Sequence, residues 1–139
     1  MSFREKSDWC SFLSLCVFGY FFFQLAHDFL TYGHPPRNYF ALFFGLVGLM
    51  VAIQVASHIA LAVLSPRDAK TPVDERERLI HLRAVRVSYY VLLVGVFLVI
   101  GTMHLGFSIW QMAHCILFVI WLAELVRYGL RLFFHRREA

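Results

Sequence analysis

A chain of 139 residues in which 60% of side chains are hydrophobic, 17% aromatic and only 16% charged is too apolar for an ordinary soluble domain, where about a quarter are charged. Its net charge of +4 would suggest nucleic acid if the basic residues formed a patch. They flank apolar runs instead, so direct nucleic-acid binding is set aside and the charges read as topology signals and contacts with anionic lipid headgroups.

Four apolar stretches, residues 9–30, 40–64, 87–106 and 109–130, each approach the roughly 20 residues needed to cross ~30 Å of hydrocarbon. In lipid every backbone donor and acceptor must be satisfied within its own segment, so all four are expected to be helices. The expected fold is all-α: an integral membrane four-helix bundle forming one domain. Arg4 and Lys6 precede the first run, as in a signal peptide. That run is too long, however, and ends in HDFLTYGHPP without a small-residue cleavage site, so a retained first span is expected. Gly33, His34, Pro35 and Pro36 separate it from the second, because paired prolines cannot continue a helix. The third and fourth runs meet at Gly106 to Ser108, a hairpin too short to hold a domain. Cys10, Cys16 and Cys115 lie in or beside these runs without metal-ligand spacing and read as small core residues.

Between the apolar halves lies one extended polar stretch, residues 65–86, SPRDAKTPVDERERLIHLRAVR. It carries Arg67, Lys70, Arg76, Arg78, Arg83 and Arg86 against Asp68, Asp74, Glu75 and Glu77. Together with Arg4, Lys6, Arg127, Arg131, Arg136 and Arg137 these cations crowd one membrane face, while Arg37 alone lies at the other. Both termini and the stretch are therefore assigned to the cytoplasm. Within it, Thr71 reads as a helix cap, with Pro72 at the first position and Asp74 three residues after the cap. The third helix is expected to begin in water, with Leu79, Ile80, Leu82 and Val85 along the headgroup boundary and Arg76, Arg83 and Arg86 reaching phosphates. Asp74, Glu75, Arg76, Glu77, Arg83 and Arg86 form the candidate contact segment for lipid or a protein partner.

Ionisable groups inside spans cost roughly 2.5–3.5 kcal/mol at a helix centre, so each needs a reason. His58 and Glu124 lie at comparable depth near the cytoplasmic ends of their spans. With Gln54, Ser57 and Tyr128 they suggest a polar intramembrane site. Gln111, His114, Trp121, Glu124, Tyr128 and Arg131 recur at helical spacing along the fourth span, as one semi-polar face. One reading is a structural hydrogen bond between helices, or Glu124 satisfied by Arg127 and Tyr128 one turn away. The other is a proton-linked site. Towards the outer face lie His27, Asp28, His34, His104 and His114. Of these, His27, His104 and His114 are the candidate ligands for a transition metal or haem, although no CxxCH and no one-turn histidine pair is present.

On the second span Gly48, Ala52, Ala56 and Ala60 form a four-residue small stripe, opposite Gln54 and His58, which suggests a homodimer seam; the plainer readings are contact with lipid or with a neighbouring helix. Phe21, Phe22 and Phe23, with Trp9, Trp110 and Trp121, read as bulk and interface anchors.

The opening MSFREKSDW and the segment DERERLIHLRAVRVSYYVLLVG entering the third span resemble a family of small, uncharacterised bacterial inner-membrane proteins with four helices. Asp74 to Glu77 supply its DERE-type motif. The resemblance implies a fold and a bacterial inner-membrane location, and brings no activity with it. No nucleophile elbow, phosphate loop or paired catalytic carboxylates appear, so a non-enzymatic regulatory or accessory protein is expected. The alternatives are a small proton-coupled transporter using Glu124 and His58, and a haem- or metal-binding protein using the histidines. The chain resembles small drug/proton exchangers only in economy, since those place their glutamate in the first helix, whereas the first span here, residues 9–30, contains none and the embedded one is Glu124.

Overall fold

A computed structural model describes residues 3–64, 66, 72 and 74–137. They form four long helices: α1 (Phe3–Tyr32), α2 (Tyr39–Leu64), α3 (Glu75–Gly101) and α4 (Ile109–Arg137), with a single 3-10 turn, Thr102–Leu105, after α3. There is no strand among the described residues. The shortest helix has 26 residues, about 39 Å at helical rise. All four are long and apolar enough to cross a membrane. The chain divides into two compact units, Met1–Thr71 and Pro72–Ala139, and the boundary falls inside the polar stretch.

The first unit is a hairpin of α1 and α2. Gly33 ends α1 in the left-handed region (φ 69°), which costs a residue without a Cβ nothing, and its N–H closes on the Phe29 carbonyl at 3.0 Å. Asn38 then offers its carbonyl to the Leu42 N–H at 2.8 Å, opening α2. The buried positions of α1 are Asp8, Ser11, Ser14, Leu15, Phe21, Phe22 and Leu25, and at 100° per residue they share one face. Its second half is aromatic: Phe21 meets Tyr39 and Phe43 of α2 at ring-centroid distances of 5.7 and 5.2 Å, and Phe18 meets Phe43 at 6.1 Å. Its first half is polar.

The second unit is a hairpin of α3 and α4. Gly106, at φ 78°, turns the chain after the 3-10 segment. Ser108 and Gln111 then form a reciprocal cap: the Ser108 N–H donates to Gln111 Oε1 at 2.8 Å, and the Gln111 N–H to Ser108 Oγ at 3.3 Å. This capping box satisfies two donors that would otherwise lack partners at the start of α4. Ile80, Ala84, Ser88 and Val99 are buried on α3, and with Gly95 they lie along one stripe. Gly95 lies so close to the Val119 side chain that an added Cβ would overlap it. The seam thus combines the small residues Ala84, Ser88 and Gly95 of α3 with Val119 of α4.

Three expected boundaries change. Pro72 is not helical and α3 begins at Glu75. Asp74 precedes it in extended conformation without a side-chain cap bond, its carbonyl accepting from the Arg78 N–H at 3.0 Å. The negative charges of Glu75 and Glu77 in the first turn meet the positive helix end in place of a cap. The expected cap, Thr71, lies outside the described residues, as do Arg67, Asp68 and Lys70. At the other extremes α1 starts at Phe3 and α4 runs to Arg137, because polar turns beyond an apolar run remain helical where His135, Arg136 and Arg137 complement the negative end.

Candidate functional site

The polar half of the first hairpin is a hydrogen-bonded seam between helices. His58 Nδ1 lies 2.7 Å from the Gln54 carbonyl oxygen, an atom that only accepts, so Nδ1 carries the proton. In the neutral ring Nε2 is then an acceptor, and Ser7 Oγ, 2.9 Å away, donates to it. One turn deeper Gln54 Nε2 donates to Ser14 Oγ at 3.1 Å, and that hydroxyl donates to the Ser11 carbonyl at 2.8 Å. Ser14 is fully buried, and Asp8, beside Ser7, is 3% exposed. Ser57 is half-buried on α2. The serines of α1 were absent from the expected site, yet Ser7, Ser11 and Ser14 recur at spacings of four and three, the signature of one helix face.

Glu124 finds its partner within the second hairpin, in an ion pair with Arg127 one turn along α4. Arg127 Nη2 also donates to Tyr128 Oη at 3.2 Å, and the guanidinium carbons of Arg127 and Arg131 lie 4.8 and 5.9 Å from the Tyr128 ring centroid, within cation–π range. His58 and Glu124 thus each hold a partner inside their own unit. The semi-polar face expected along α4 resolves into local motifs: Gln111 in the cap, His114 bonded to the Trp110 carbonyl at 2.6 Å with the two rings 4.0 Å apart, Trp121 against Phe118, and the Glu124–Arg131 cluster.

His81 of α3 belongs to that cluster. Counting back along α3 from the Gly95–Val119 crossing, and forward by the same number along the antiparallel α4, brings His81 level with Arg131 to within a turn. Arg131 and Arg127 are the charges that act on its imidazole.

Of the remaining histidines, His27 and His34 are engaged locally. His27 Nδ1 lies 3.1 Å from Asp28 Oδ1, which also accepts from Gln24 Nε2 at 3.0 Å. His34 Nδ1 lies 2.9 Å from the Pro35 carbonyl oxygen, and His104 is exposed in the 3-10 turn. Among the described residues no three His, Cys, Asp or Glu side chains gather closely enough to hold a metal ion; His27 with Asp28 is a two-donor pair.

In the first turns of α3, Asp74, Glu75, Arg76, Arg78, Arg83 and Arg86 are exposed and Glu77 is half-buried, while Ile80 and Ala84 are buried. The charged segment is thus the outer face of a packed helix. On α2 no residue is buried, and Gly48, Ala52, Ala56 and Ala60 are all exposed. No protein-family profile, curated protein or solved structure matches the chain.

Proposed function

We propose that the chain is a non-enzymatic protein of the bacterial inner membrane with a regulatory or accessory role, spanning the bilayer four times with both termini and residues 65–86 in the cytoplasm. Its working part on this reading is the arm formed by Glu75 to Arg86. The observation that supports it is the continuity of α3: one helix of 27 residues joins the exposed charges of the arm to an apolar run without a break. Such a helix holds Arg76, Arg83 and Arg86 at headgroup level, where long basic side chains bury their stems and reach phosphates. It also presents Asp74, Glu75 and Glu77 beyond the lipid surface to a cytoplasmic protein. The bacterial location rests on the resemblance carried by MSFREKSDW and the DERE-type motif.

Exchanging Glu75 and Glu77 together for Lys reverses the charge of the first turn while leaving the buried stripe of α3 intact. The expected outcome is a changed set of proteins crosslinked to the arm in native membranes; an identical set overturns recognition through it. A second copy of the chain is the proposed partner for the exposed stripe Gly48, Ala52, Ala56 and Ala60, whose small side chains permit close helix approach. Ala56→Cys is expected to give a disulfide-linked dimer in native membrane, and its failure to do so removes the seam.

A further inference from the structure

We propose that His81, Arg127 and Arg131, converging between α3 and α4, hold the phosphate of one anionic phospholipid. This inference rests on the membrane reading above and adds a specific site to it. Arg127 and Arg131 both reach the Tyr128 ring, and their i, i+4 spacing puts the two guanidinium groups on one face of α4, one turn apart. The helix register brings His81 of α3 to the same level. Two guanidinium groups and an imidazole therefore meet beside one carboxylate, Glu124, which is engaged with Arg127.

Arg127 is 29% exposed, and its Nε–H has no acceptor among the described residues. The guanidinium thus has hydrogen-bonding capacity beyond Glu124 and Tyr128, and a buried donor without a partner calls for an explanation. A phosphodiester supplies what is missing: negative charge and unesterified oxygens that a planar guanidinium engages in fixed geometry. The level matches too, since Arg127 to Arg131 straddles the end of the apolar run that finishes at residue 130, where headgroup phosphates lie. Basic pockets between helices at this depth are where anionic headgroups bind.

The test uses the full chain, purified in mild detergent and exposed to equimolar phosphatidylglycerol and phosphatidylethanolamine, with retained lipid counted by native mass spectrometry. Both lipids carry the phosphodiester and only the first is anionic overall. Wild type is expected to retain one phosphatidylglycerol in preference, and Arg131→Gln to lower its retention about fivefold, the contribution of one basic residue near an anionic surface. Arg137→Gln, an equal loss of charge at an exposed position beyond the cluster on α4, should leave retention unchanged. His81→Gln, which leaves every arginine in place, should also lower it and gives a second reading if Arg131→Gln fails to fold. Equal retention of the two lipids by wild type, or equal losses from Arg137→Gln and Arg131→Gln, overturns the site. Displacement of the lipid by excess inorganic phosphate overturns the lipid assignment and makes the ligand a soluble phosphate. Because the arm and the membrane topology are tested by other variants, failure here leaves them standing.

Discussion

His58 shows how much chemistry one backbone oxygen can decide. The Gln54 carbonyl fixes a proton on Nδ1, which leaves Nε2 to bond Ser7, and side-chain hydrogen bonds link Ser7 with His58 and Ser14 with Gln54 along the seam. Hydrogen bonds between membrane helices average about 0.6 kcal/mol and reach about 1.7, so Ser7→Ala or Gln54→Ala should each destabilise the first hairpin by about 1 kcal/mol. Thermal unfolding in detergent checks this; an unchanged midpoint for both variants contradicts the seam. Glu124→Gln carries a similar expected cost, of about 1 kcal/mol or less, because the pair it breaks is partly exposed and lies one turn apart on one helix. The Glu124–Arg127 pair could be read from the sequence because it lies within one helix at i, i+3. The Ser7–His58 pair could not, since it depends on the rotation of α1 about its axis, and serines carry too little hydropathy signal to reveal that.

Among the elements, the α3–α4 hairpin rests on two devices of unequal visibility. Gly106 in the left-handed region and the Ser108–Gln111 box are turn chemistry that residue types announce. The crossing at Gly95 is different. A lone glycine in an apolar helix has no readable purpose until Val119 is found against it. Gly95→Ala should cost about 1–3 kcal/mol by overpacking, and Val119→Ala introduced beside it should recover most of that loss. If the double variant is no more stable than Gly95→Ala alone, the close approach is not what limits the seam. The start of α3 had the opposite history: Thr71 and Pro72 looked like a complete helix signal, yet the helix opens at Glu75, after the extended Asp74. Local propensity was right about the existence of a start and three residues early on its place, since negative charge in the first turn can replace a side-chain cap.

For the whole molecule, apolar runs long enough to be helices were the clearest signal in the chain, because backbone hydrogen bonding in lipid leaves no other fold for them. The pairing into hairpins, α1 with α2 and α3 with α4, follows from short connections. Orientation is a separate matter carried by charge alone: Arg4, Lys6, the arginines of the α3 arm and those ending α4 against Arg37. The contact arm, the lipid-phosphate site and the role proposed for the chain all require that asymmetry to set the topology. The direct measurement is labelling with a membrane-impermeant maleimide in a background where Cys10, Cys16 and Cys115 are replaced by Ser. Arg37→Cys should be modified in intact cells, and Arg83→Cys only after the membrane is opened. Modification of Arg83→Cys from outside, with Arg37→Cys protected until permeabilisation, would contradict the account.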